Sequence, residues 1–214
     1  MKEGIKMLGT GLEKGFKTIW LIMKLNLFFH LFSLMGGYIL GIGPSIQMVS
    51  DLFQESKFDY KEITFKRAFE LWKSHFIRSN GQFLLFFGVF ALLAYNLYIS
   101  VQLVGLTWLI IDFILISAIL FIYVAYQYVI SYETNYEMPF LQVIKLACIS
   151  VFFGFGTFWK LLLGAVVIIA VTWQMKGLIL FATISLLIIW SVIATKKIRH
   201  VVNEKLGFSE EEMV

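Results

Sequence analysis

The sequence predicts an all-α fold: a polytopic transmembrane bundle of about six membrane helices, the second of them short, with amphipathic helices along its inner face. Three observations lead there. Hydrophobic residues make up 59% of the 214-residue chain and charged ones 15%, at a mean hydropathy of +0.82, more apolar surface than a water-soluble core can hide. The apolar residues gather in runs close to the roughly 20 residues that cross a hydrocarbon core of about 30 Å. Lysine and arginine collect between and after those runs, as they do in loops held back from translocation. The length leaves room for one integral membrane domain over residues 1–214 and no second unit.

The first run extends from Thr18 to Leu40, interrupted by Lys24, Asn26 and His30, and closes in a glycine-rich turn at Gly36, Gly37, Gly41 and Gly43. Pro44 suits the first turn of the next helix, where its missing N–H costs nothing, so a short helix is expected from Pro44 to Gln54. A polar stretch from Asp51 to Asn80 follows, holding Lys57, Lys61, Lys66, Arg67, Lys73 and Arg78. Inside it, Asp59 and Glu62 have capping-box spacing. Phe65, Phe69, Trp72 and Phe76 then share one helical face, which predicts an amphipathic helix over 57–79 lying at the inner interface with its stripe toward lipid, bundle or partner.

Runs from Gln82 to Tyr98 and from Leu106 to Ile130 predict a hairpin joined by an uncharged connection. A mostly apolar helix is expected over Pro139 to Phe153, with a break at Gly154 and Gly156. Spans over Lys160 to Thr172 and Gly177 to Thr195 complete the set, and the tail over 196–214 reads as a cytoplasmic helix that ends in Glu210 to Glu212. At an offset of 75 residues Phe65, Leu71, Gly81 and Phe83 match Phe140, Leu146, Gly156 and Phe158, a candidate internal repeat of helix, glycine break and two spans.

Orientation follows from the basic residues. With the Gly36 to Gly43 region outside, five basic residues at the N-terminal end, six between Asp51 and Asn80 and four in the tail all fall inside, and Lys176 alone lies outside. Both termini are then cytoplasmic; the five-span alternative, in which Pro44 to Gln54 does not cross, puts either the second basic stretch or the N-terminus outside, so six spans are preferred. The net charge of +4 belongs to these flanks rather than to one face of a soluble domain, which excludes nucleic acid as a partner.

Chemistry is scarce. A single cysteine, Cys148, excludes an internal disulfide or a cysteine-based zinc site. No Gly-x-Ser-x-Gly, His-Glu-x-x-His or glycine-rich phosphate loop occurs, so no enzyme activity and no cofactor are expected.

Leu25-Asn26-Leu27, Gly41-Ile42-Gly43-Pro44, the run from Phe65-Lys66-Arg67-Ala68-Phe69 to Phe76, and Tyr126 to Glu133 leading into Leu141 to Ala147 together resemble the YesL-like family of bacterial multi-spanning membrane proteins. This chain has Tyr126-Gln127 where an aromatic-proline pair is expected in that family. The resemblance implies a bacterial plasma-membrane location and a role near carbohydrate uptake, because relatives are often encoded beside sugar-importing ABC transporters. Expected partners are the lipid bilayer and the ABC transporter's permease subunits.

Three polar residues inside the expected spans form the candidate intramembrane site. Asp112 is the one acid well inside a span, where a carboxylate is costly unless hydrated, protonated or paired. It reads as wetted by headgroups, as a proton- or cation-coupling group, or as a helix-to-helix hydrogen bond. Asn26 and His30, four residues apart, either hold neighbouring helices together or line a polar cavity; a metal site would need more ligands than they supply. The function expected is an accessory component of carbohydrate uptake that docks through Phe65, Phe69, Trp72 and Phe76. The alternative is a small solute permease lined by Asn26, His30 and Asp112.

Overall fold

The computed structural model describes residues 2–56 and 58–206, with side chains from residue 13 to residue 205. Lys57 and the acidic end of the tail, Glu210 to Glu212, lie outside the described residues.

Among those residues the fold is a bundle of seven α-helices and one π-helical segment, with no strand: α1 (Lys2–Met35), α2 (Ile39–Ser56), α3 (Phe65–Ser100), α4 (Leu106–Asn135), α5 (Phe140–Phe153), α6 (Phe155–Gln174), the π-helical turn Ile179–Thr183, and α7 (Ile184–Leu206). Five helical segments are long and apolar enough to cross a membrane: Glu13–Met35, Phe65–Ser100, Leu106–Asn135, Phe155–Gln174 and Ile179–Lys205. α2 is not among them. Twelve of its eighteen residues are buried, so its polar side chains face protein instead of lipid.

The turn after α1 is tighter than the glycine run suggests. Only Gly37 and Tyr38 adopt positive φ, and the bonds from Tyr38 N–H to the Ser33 carbonyl and from Gly37 N–H to the Leu34 carbonyl make a Schellman close. α2 therefore begins at Ile39, five residues before Pro44, and proline sits inside the helix rather than in its first turn. The remaining glycines permit close packing: a Cβ on Gly41 would stand 2.3 Å from the Ser33 carbonyl oxygen, and one on Gly43 would stand 2.7 Å from the Ser79 carbonyl oxygen.

α3 corrects two further expectations. Its N-cap is Thr64, whose hydroxyl accepts from the Arg67 amide at 3.3 Å, while Asp59 closes a local turn onto the Lys61 amide at 3.0 Å. Ile63, just ahead of the cap, is buried in the core and fixes where the helix starts. The amphipathic segment and the following span then form one uninterrupted helix of 36 residues, about 54 Å long at 1.5 Å per residue. No break occurs at Gly81, which lies against the Phe140 ring. The proposed repeat thus keeps its order of elements, but its glycine break is realised only at Gly154, where a Cβ would stand 2.5 Å from the Tyr128 hydroxyl. α4 passes through Tyr126-Gln127 as continuous helix.

Two apolar cores share α7. One gathers Leu25 and Phe32 of α1, Met48 and Leu52 of α2, Leu71 of α3 and Ile188 of α7. The other gathers Val124 and Tyr128 of α4, Val143 and Ala147 of α5, Leu161 of α6 and Ile198 of α7. Trp190 wedges against α6: its Nε1 donates to the Lys160 carbonyl at 3.0 Å, above Gly164, which has no room for a Cβ. Outside the cores, Leu84, Phe87, Leu92, Leu109, Phe113 and Ile114 of the α3–α4 hairpin are exposed, a surface suited to hydrocarbon and not to water.

Candidate functional site

The densest polar chemistry lies where α2, α3, α4 and α7 meet. Helical spacing builds it. Gln47, Ser50, Asp51 and Gln54 fall at i, i+3, i+4 and i+7 on α2, and His75, Arg78 and Gln82 fall at i, i+3 and i+7 on α3, so each set makes one stripe. Glu133, Thr134 and Asn135 end α4, and Arg199 comes from α7.

Asp51 is the centre, with its side chain only 7% exposed. Its Oδ1 accepts from Gln47 Nε2 at 2.9 Å and from Thr134 Oγ1 at 2.6 Å, and its Oδ2 lies 3.1 Å from His75 Nε2. Gln47 also donates to Thr134 Oγ1 at 2.7 Å. Beside it, the buried Glu133 carboxylate is ion-paired with Arg78 and accepts from Gln82 Nε2 at 2.8 Å, while Arg78 donates further to the Met138 carbonyl. A third group joins Gln54 Oε1 to Asn135 Nδ2 at 3.1 Å and to Arg199 Nη1 at 2.9 Å. Below it, Tyr136 donates to Asn203, and burial pushes the Tyr136 phenol up from its ordinary value.

Two buried carboxylates thus each face a basic side chain and additional donors. Buried charge is tolerable only with such partners, and removing one partner typically costs about 3–5 kcal/mol. Chemically the arrangement fixes the placement of α2, α3, α4 and α7. Among the described residues no group of three or more His, Cys, Asp or Glu side chains is placed to hold a metal ion.

The expected intramembrane site divides. Asn26 and His30 do act together, on the π-helical turn. Asn26 Nδ2 donates to the Ile179 and Leu180 carbonyls at 3.0 and 2.6 Å, and its Oδ1 accepts from the Ile184 and Ser185 amides at 3.0 Å each. His30 Nε2 lies 3.0 Å from the same Ile179 carbonyl. The asparagine amide is inserted into the helical ladder, which the wider π register opens for it. Asp112 stands apart on α4, half-buried, with Oδ1 shielded and without a hydrogen bond. α1 packs chiefly on α2, α3, the π turn and α7, and Asp112 shares none of the hydrogen-bond partners of Asn26 and His30, so the three residues form no common hydrogen-bonded group among the described residues.

The aromatic stripe packs onto α1. Phe32 stacks on Phe65 with ring centroids 5.4 Å apart and meets Trp72 at 5.8 Å and Phe69 at 6.4 Å, while Trp72 meets Phe76 at 4.9 Å. Phe65 and Phe69 keep part of their surface exposed, and Ile77, two turns further along α3 from Phe69, is 86% exposed.

Asp51, His75, Arg78 and Glu133 carry more chemistry than the three residues singled out from the sequence. Asp51, His75 and Arg78 were legible as stripes at helical spacing, yet they lay in a segment whose charge suggested an interface, and Glu133 stood alone at the end of the fourth apolar run.

Long apolar spans around a hydrogen-bonded and ion-paired polar cluster define the class: a multi-pass α-helical membrane protein. Residues 22–97, which take in the second half of α1, all of α2 and α3 to its last turn, are similar to a family described as a protein of unknown function, DUF624. No curated protein and no solved structure matches the chain.

Proposed function

We propose that the chain is a non-enzymatic membrane component that associates with the permease subunits of a carbohydrate ABC-type importer. It would sit in the bacterial plasma membrane with α2, about 27 Å long and enclosed by α1 and α3, as a sixth crossing beside the five apolar ones, which brings both ends to the cytoplasmic side. The observation that carries this reading is that polar groups suited to a translocation path are engaged inside the protein: Asn26 and His30 on helix backbone, and Asp51 and Glu133 in pairs with His75 and Arg78. The importer half of the reading rests on the resemblance to the YesL-like family. The surface offered to a partner is the outward side of the first half of α3, where Phe65, Phe69 and Ile77 are exposed beside Lys66 and Lys73.

Affinity purification of the full chain from a mild-detergent extract of its own cells tests it. Enrichment of importer membrane subunits, reduced by Ile77→Asp, is the expected result. Recovery of no importer subunit would count decisively against the proposal.

A permease acting alone is favoured by one observation, the shielded and unpartnered Oδ1 of Asp112 in an apolar span. Solute flux in proteoliposomes that is unchanged in Asp112→Asn would remove that support.

A further inference from the structure

A second feature lies away from the polar core. Between α5, the Gly154 break, the start of α6 and the end of α7 is a cavity of about 460 Å³, within the roughly 300–1,000 Å³ of small-molecule sites. Its wall is mainly apolar, with Ile149, Phe153 and Val201 among the residues that form it. Among the described residues its charge is of one sign: Lys160, Lys197 and Lys205 line it and no carboxylate does. None of the three lysines has an acid partner among the described residues, whereas the neighbouring Glu204 faces His200 at 3.6 Å. Lys205 instead reaches across from α7 to sit 4.8 Å above the Phe153 ring of α5.

Position adds to charge. From Ile179 to Lys197 the last span advances about 27 Å, close to one hydrocarbon thickness, so Lys197 reaches headgroup level. Lys160, one and a half turns into α6, needs only to extend its stem along the groove to bring its ammonium to the same level. An apolar slot that opens at headgroup depth beside Lys160 and Lys197, with Lys205 about 12 Å further along α7 and turned over the Phe153 ring, suits one kind of occupant, an acyl chain carrying a phosphate.

We propose that this cavity binds an anionic phospholipid, its phosphate beside Lys160 and Lys197, with Lys205 adding charge further along α7, and the upper part of one acyl chain against Ile149 and Phe153. The site does not depend on any importer partner.

Full-length protein in mild detergent is the sample, and two readouts are taken, thermal stability and lipid retained in native mass spectrometry. Phosphatidylglycerol should raise the melting temperature and stay bound, and phosphatidylcholine and inorganic phosphate should do neither. Because each lysine near a headgroup contributes roughly a fivefold preference, the combined Lys160→Gln, Lys197→Gln and Lys205→Gln variant should lose on the order of a hundredfold. Lys66→Gln with Lys73→Gln, equal in kind but remote, should leave the preference intact. If the triple variant does not fold, Ile149→Trp, which fills the slot and keeps the charge, should abolish retention. Equal retention of the two lipids, equal stabilisation by free phosphate, or loss of preference in the remote variant would overturn the site.

Discussion

Replacing Asn26 with leucine isolates what the π turn requires. The side chain is fully buried and makes four hydrogen bonds to backbone, two donated to carbonyls and two accepted from amides. Leucine keeps the volume and removes all four. Polar bonds between membrane helices are worth about 0.6–2 kcal/mol each, because the separated helices find other partners, so four predict a loss of roughly 2–4 kcal/mol after partial closure of the ladder. His30→Ala removes one contact to the Ile179 carbonyl and should cost less than about 1 kcal/mol. Asn26→Asp keeps the acceptor but turns a carboxylate oxygen toward two carbonyls, and should be at least as damaging as leucine. Equilibrium unfolding in mixed micelles, followed by helicity and tryptophan fluorescence, measures all three. Asn26→Leu within about 0.5 kcal/mol of the parent would refute the inserted-amide account.

Asp51→Ala leaves His75, Gln47 and Thr134 without their shared acceptor and should cost about 3–5 kcal/mol in the same unfolding assay, far more than Glu70→Ala on the exposed side of α3. Gly164→Ala should destabilise by about 1–3 kcal/mol, since its Cβ would stand 1.9 Å from Trp190 Nε1, while Gly15→Ala, with nothing within 4 Å, should stabilise α1 by about 0.5–1 kcal/mol. In a Cys148→Ser background, an impermeant maleimide should reach a cysteine introduced at Lys176 in intact cells and reach those at Lys66 or Lys197 only after lysis; the reverse pattern would overturn the inferred orientation. Burial holds the Cys148 thiol above its ordinary range, so less thiolate is present at neutral pH, and maleimide labelling of the parent should be slow there and should accelerate as the pH is raised.

Hydropathy made the spans legible because lipid imposes a length and an apolar composition that few other environments require. α5 was expected over Pro139 to Phe153 and occupies Phe140–Phe153, since proline and glycine punctuate both ends. The sequence misled where the same residue types serve two purposes. Gly41 and Gly43 resembled a turn but permit two helices to touch, and Gly81 resembled a break but lies within unbroken α3, because a glycine that makes room for a neighbour is indistinguishable along the chain from one that bends it. Asp51 and His75 lie in the most charged stretch, and only the folding of α2 against α3 turns that stretch inward. Asn26 was recognised as a polar residue needing a partner, but its acceptors are backbone atoms more than 150 residues away, which no side-chain pattern announces.

One uninterrupted rod of about 54 Å is longer than the roughly 30 Å hydrocarbon layer is thick. If it crosses that layer, at least one extremity projects beyond it, and the two behave mechanically as one object. Any tilt imposed on the Phe65 extremity by a docked subunit is transmitted by leverage to the connection after Ser100, with no hinge between them to absorb it.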